Sequence, residues 1–110
     1  MTAAEHDRFA ARARIAKALA HPARLLMVEA LADGPRCVCD LQRRVGSDMS
    51  TVSKHLTVLR HAGIMADEKR GAQVFYSLRC PCVLSFFECA EAILRSTAKT
   101  HARSVAGRGG

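Results

Sequence analysis

Apolar residues recur at helical spacing along most of this chain and shift to strand-like alternation in only one stretch. In Glu5–Ala20, Phe9, Ala13, Ala16 and Ala20 share one face of an alanine-rich run, which predicts a long first helix stopped by His21-Pro22. Pro22 suits a first helical position and opens a second helix to Leu31 with Leu25, Leu26, Val28 and Leu31 as its core face; Asp33-Gly34-Pro35 ends it. Asp40 is a good N-cap for a short third helix through Val45. Gly46-Ser47-Asp48 then turns the chain into a fourth helix, Met49–His61, where Val52, Leu56 and Leu59 recur at i, i+4 and i+7. Past Gly63, Ile64–Arg70 and Gln73–Leu78 read as two strands around Arg70-Gly71-Ala72. A last helix over Pro81–Thr97 carries Val83, Phe86, Phe87, Ala90, Ile93 and Leu94 in a stripe broad enough to want a partner. This order predicts a mainly α fold with one β-hairpin, a winged helix-turn-helix of five helices plus a two-stranded wing.

Length and charge narrow the picture. At 110 residues the chain suits one small domain, 1–98, followed by a Gly/Ala/Arg-rich basic tail, 99–110, expected to be disordered. Lysine and arginine number 17 against 10 acidic residues, a net charge of +7 that favours a polyanionic partner. Residues 36–79 hold eight basic and four acidic side chains, net +4, so the excess lies where the helix-turn-helix and wing are expected. No apolar run is long enough to span a bilayer and the N-terminus has no signal-peptide core, which points to the cytoplasm and to no membrane partner. A small cysteine enzyme, such as an arsenate reductase or thiol oxidoreductase, would need an oxyanion-cradling glycine loop, a C-x-x-C motif or a His/Asp set beside a nucleophile. The chain has none of these and reads as a non-enzyme.

The chemistry is concentrated in two places. On the fourth helix Ser50, Thr51, Ser53, Lys54, Thr57 and Arg60 face outward; short hydroxyls allow close approach to a major groove, and Lys54 and Arg60 reach phosphates or guanine edges. His55 suits a hydrogen bond or a phosphate contact, and Lys69 and Arg70 at the wing tip suit the sugar-phosphate backbone. The second place is the set of five cysteines, an odd number that speaks for metal-binding or redox thiols rather than a disulfide framework. Cys37 and Cys39 precede the helix-turn-helix. Residues two apart diverge in a helix but project to the same side when extended, so shared binding by this pair favours a distorted helix start. Cys80 and Cys82 flank Pro81 at the opening of the last helix, and Cys89 follows Cys82 by seven residues, roughly 10 Å along a helix, too far to chelate one ion without bending.

Together Ala20-His21-Pro22-Ala23-Arg24-Leu25, Cys37-Val38-Cys39-Asp40-Leu41, Ser50-Thr51-Val52-Ser53-Lys54-His55-Leu56 and Gly71–Leu78 resemble, in order and spacing, the second-helix opening, metal-binding box, recognition helix and wing of the ArsR/SmtB family of metalloregulatory repressors. The resemblance implies a homodimer through the first and last helices, here through Phe9, Ala16, Val83, Phe86, Phe87, Ala90 and Leu94. It also implies binding to double-stranded inverted-repeat operator DNA in the metal-free state, and release when arsenite or a soft divalent ion (cadmium, lead or zinc) is taken by cysteine thiolates, with no organic cofactor. Arsenic sensors with this box carry a third cysteine in the same helix where this chain has Gln42, so the remaining ligands of a site begun by Cys37 and Cys39 would come from Cys80, Cys82 or Cys89. A second reading on the same scaffold is a thiol-redox or persulfide switch that joins Cys37 or Cys39 to Cys80 or Cys82.

Overall fold

The computed structural model describes residues 1–109, with side chains described through Thr100. Helix α1 spans Ala3–Leu19 and begins two residues before the expected Glu5, because Thr2 and Glu5 form a capping box: the Glu5 N–H donates to Thr2 Oγ1 at 3.1 Å, and the Thr2 N–H to the Glu5 carboxylate at 3.4 Å. Helix α2, Pro22–Ala30, is capped by His21, whose Nδ1 accepts from the Ala23 N–H at 3.1 Å. Its buried face is Met27, Val28 and Ala30, with Leu31 just beyond; Leu26, expected in the core, is 42% exposed, and Leu25 is half-buried. Met27 takes the place assigned to them.

The largest departure from expectation lies at Cys37. Arg36–Cys37 forms a two-residue strand, β1, and Cys37 rather than Asp40 caps helix α3, Val38–Val45. Gly46, at φ +79°, closes α3 in the left-handed conformation that glycine adopts without strain. Helix α4 covers Met49–His61, as the spacing predicts. Strands β2, Met65–Arg70, and β3, Gln73–Leu78, form the wing around Gly71, and β1 adds to β3, pairing Arg36 with Tyr76 and Cys37 with Phe75. The sheet is therefore three-stranded and antiparallel, in the order β1-β3-β2, where only a two-stranded wing is expected.

The core is a single cluster in which Met27, Val28 and Leu31 from α2, Leu41 from α3 and Val52, Leu56 and Leu59 from α4 meet Ile64, Met65 and Tyr76 at the sheet. The α4 trio is the predicted one. Beyond β3, Pro81–Leu84 is a 3-10 turn rather than the first turn of the last helix, and helix α5 spans Ser85–Gly109. Within the chain α5 packs chiefly on this turn, so most of its apolar stripe has no covering element. The basic tail expected at 99–110 falls largely outside the residues whose side chains are described, although helical backbone extends to Gly109. No helix among the described residues is long and apolar enough to cross a membrane.

Candidate DNA-reading face and thiol pair

Helix α4 presents the expected outward row, and its hydrogen bonds sort that row into engaged and free groups. Ser50 and Thr51 both turn their hydroxyls back onto the Asp48 carboxylate at the helix entrance. These bonds, Ser50's first, hold the Asp48 carboxyl below its ordinary range. Thr57 Oγ1 donates to the Ser53 carbonyl at 2.8 Å. Arg60 reaches across to Asp67 of β2 at 3.2 Å, tying the end of α4 to the wing. At the wing tip Arg70 pairs with Glu68 at 3.3 Å and lies 4.7 Å from the Phe75 ring centroid. Lys54 and Lys69 are exposed and have no ion-pair partner among the described residues, so they are the two basic groups of this face most available to a phosphate.

His55 belongs to a cluster that sequence reasoning missed. Arg24 Nε donates to His55 Nδ1 at 3.1 Å, and the His21 and His55 rings lie 4.3 Å apart. A neutral His55 therefore carries its proton on Nε2. Burial first, then the positive charges of His21 and Arg24, hold the imidazole below its usual range. The cluster joins the cap of α2 to the middle of the recognition helix. Only the His-Pro-x-Arg and Lys-His-Leu spellings hint at it in sequence, and nothing there says that the two segments meet.

Cys37 and Cys39 lie at the junction of three elements. They line a cleft of about 400 Å³ together with Ser53 and Leu56 of α4 and Asp67, Val74 and Tyr76 of the sheet. The Asp40 N–H donates to Cys37 Sγ at 3.3 Å, so the sulfur itself serves as the helix cap. Arg36, the preceding residue, donates through Nε to the Ala30 carbonyl at 2.6 Å and pairs with Asp40 at 2.9 Å, which clamps the end of α2 to the first turn of α3. Cys37 is half-buried and Cys39 exposed. The expected distorted helix start takes the form of a strand ending on a thiol cap.

The five cysteines do not gather at one point within the chain. Cys80 and Cys82 line a different cleft, with Ile15 of α1 and Ile64, and it shares no residue with the cleft of Cys37 and Cys39; Cys89 is exposed on α5. Among the described residues no three His, Cys, Asp or Glu side chains converge as a metal would require. One chain therefore offers a thiophile two sulfurs at Cys37 and Cys39. The disulfide reading faces the same separation, since its partners line clefts with no common wall.

The residues expected at the dimer interface divide into two groups. Val83 and Phe87 pack against the chain's own core, Phe87 with an edge-to-face contact of 5.8 Å to Phe86, and Ala90 is half-buried. Phe9, Ala16, Phe86 and Leu94 are exposed, joined by Ile15 and Ile93.

Comparison with known proteins agrees with this geometry. Residues 21–66, from the cap of α2 to the first residues of β2, match the arsR family of bacterial regulatory proteins. An uncharacterized HTH-type transcriptional regulator of Mycobacterium tuberculosis, Rv0081, is 36% identical over 84 residues, 76% of this chain and 74% of that protein. Its crystal structure is similar at a TM-score of 0.76 and 32% identity, covering 86% of this chain and 95% of that one. The crystal structure of the transcriptional repressor BigR from Xylella fastidiosa is similar at a TM-score of 0.69 and 31% identity, covering 84% and 96%. A Staphylococcus aureus protein named as a cadmium resistance transcriptional regulatory protein, CadC homolog, is 37% identical over 67 residues, 60% of this chain and 55% of that protein. The chain spans about half to three quarters of the length of the curated relatives it matches. These relatives bear the names of transcriptional regulators, in keeping with a chain that is not an enzyme.

Proposed function

The chain belongs to the arsR family of bacterial regulatory proteins, and on that premise we propose that it is a cytoplasmic, homodimeric repressor that leaves its operator when the Cys37–Cys39 pair takes a thiophile. Arsenite is the favoured inducer, with cadmium, lead and zinc as the other candidates, and no organic cofactor takes part. The observation that carries this reading is the triple role of Cys37: its backbone pairs with wing strand β3, its sulfur caps α3, and it lines a cleft whose opposite wall includes Ser53 of the recognition helix. When bound, the thiophile supplies bonds to both sulfurs. The Asp40 N–H then loses its acceptor, and losing a helix cap costs on the order of 1 kcal/mol. Because Asp40 is held by Arg36, which also grips the Ala30 carbonyl, movement at the cap is passed to α2 as well as to β3.

With two sulfurs per chain, the rest of the coordination falls to hydroxide carried by the arsenite or to Cys80, Cys82 or Cys89 of a second copy. On the DNA side, Ser50, Thr51, Ser53, Lys54, His55, Thr57 and Arg60 enter the major groove, while Lys69 and Arg70 follow the backbone beside it. Dimerisation through α1 and α5 places two such faces on an inverted repeat. The exposed Phe9, Ala16, Phe86 and Leu94 support it, with Val83, Phe87 and Ala90 beneath them.

Fluorescence anisotropy of the reduced protein on its own promoter DNA tests the reading, with arsenite, cadmium, lead, zinc and a persulfide donor added separately. Release by arsenite or one metal ion is expected, and Cys37→Ser/Cys39→Ser should bind the operator normally yet fail to let go. Release by the persulfide donor alone, reversed by reductant, would replace this reading with the redox one.

A further inference from the structure

The cleft at Cys80 and Cys82 has a chemistry of its own. Its volume is about 300 Å³, and apart from the two thiols its walls are apolar: Ile15 from α1, Ala62 and Ile64 at the end of α4, and Val83 of the 3-10 turn. Both cysteines are exposed at its edge. A bare metal ion seeks three or four donors, yet no third His, Cys, Asp or Glu joins these sulfurs among the described residues. Two thiols beside hydrocarbon instead suit a soft centre with two open bonds whose third is already occupied by an organic group. The sulfurs hold the centre and the cleft holds the group.

From this we infer that Cys80 and Cys82 form a second thiol site, separate from Cys37 and Cys39, that takes a trivalent arsenical bearing one apolar alkyl or aryl substituent. The step conserves oxidation state. Two arsenic–sulfur bonds form, the arsenic–oxygen bond of the organoarsenic oxide breaks, and the oxygen leaves as water with the two thiol protons; arsenic stays trivalent and no co-reactant is needed. Space is sufficient, since an apolar cavity of about 150 Å³ accommodates a benzene ring. The Cys37–Cys39 cleft is a poorer host for such a substituent because Ser53, Asp67, Gln73 and Tyr76 put polar groups on its walls. The site does not depend on the operator-release reading, and either can fail without the other.

The test uses reduced full-length protein, phenylarsine oxide and inorganic arsenite as probes, and native mass spectrometry with competitive titration as readout. Cys37→Ser/Cys39→Ser protein should keep one phenylarsenic adduct per chain, at the mass expected after loss of one water, and bind phenylarsine oxide at least about tenfold more tightly than arsenite, because the ring adds apolar burial. Cys80→Ser/Cys82→Ser should lose that selectivity. Ile15→Asp, at an exposed position, should reduce the ratio while leaving the thiols intact. Circular dichroism establishes that each variant is folded. Equal affinity for the two probes on the Cys37→Ser/Cys39→Ser protein would overturn the proposal. So would an adduct that survives Cys80→Ser/Cys82→Ser unchanged, or one that forms only after unfolding in urea, which would mean that a second copy fills the cleft.

Discussion

The Cys37 sulfur is both helix cap and proposed ligand, and substitution separates the two roles. Serine is among the best N-caps, so Cys37→Ser should leave the unfolding free energy unchanged or slightly raised while abolishing inducer response; Cys37→Ala should lose both the response and about 0.5–2 kcal/mol. Urea unfolding beside operator-release titrations checks the pair, and equal stability of the two variants would remove the cap from the account. His55 makes a second prediction at this scale. Its folded pKa lies below the ordinary value of 6.5, so below that pH the unfolded chain binds more protons than the folded one, and stability must fall as pH falls from 6.5 towards the folded value. Protonation also removes the Nδ1 acceptor used by Arg24. His55→Gln should flatten the stability profile between pH 7 and 5, as followed by thermal unfolding. Neither role is written plainly in the sequence. By residue type Asp40 is a better cap than Cys37, and the meeting of His21 with His55 depends on how α2 crosses α4.

Between elements, the Arg60–Asp67 pair joins the end of α4 to β2, and both side chains are about two-fifths exposed, so it stabilises the fold by no more than about 1 kcal/mol. Its larger consequence is for the charge facing DNA. Asp67→Asn frees the Arg60 guanidinium and deletes a negative charge, so operator affinity should rise by about threefold at low salt, with the gain shrinking as salt screens it. Lys54→Ala should do the opposite: weaker binding to all sequences alike, and a salt dependence reduced by about one unit of slope. A Lys54→Ala variant with unchanged slope would take Lys54 out of the phosphate contacts. How far these elements were legible followed how strongly each was patterned. The thirteen residues of α4 repeat Val52, Leu56 and Leu59 on one face, and β3 alternates up to a glycine turn, so both have the predicted bounds. The two residues of β1 are too few to show any period and depend on β3 for their hydrogen bonds, which is why the third strand was invisible. The outward row of α4 was legible as a face, but not which of its hydroxyls fold back on Asp48.

The whole molecule has a shape that one chain does not explain. Its radius of gyration is 17.9 Å, against about 13 Å for a compact chain of this length. The excess matches two helices, α1 and α5, that carry large apolar side chains outward: Phe9 and Ile15 at 46% exposed, Phe86 at 45%, Ile93 at 60% and Leu94 at 61%. Water is a poor neighbour for this much hydrocarbon, and a second copy meeting the same two helices would cover it symmetrically. Leu94 touches nothing in the core, so Leu94→Glu should leave the fold intact while placing charges against one another across the two-fold axis. Sedimentation velocity should show a monomer at concentrations where the parent chain is a dimer. Operator affinity should fall by about a hundredfold or more, since a lone half-site contact loses the effective concentration that the linked second contact provides. The arsenite affinity of the monomer then decides how its site is completed. Unchanged affinity means that Cys37 and Cys39 of one chain suffice, and a large loss means that the second copy supplies the missing sulfur.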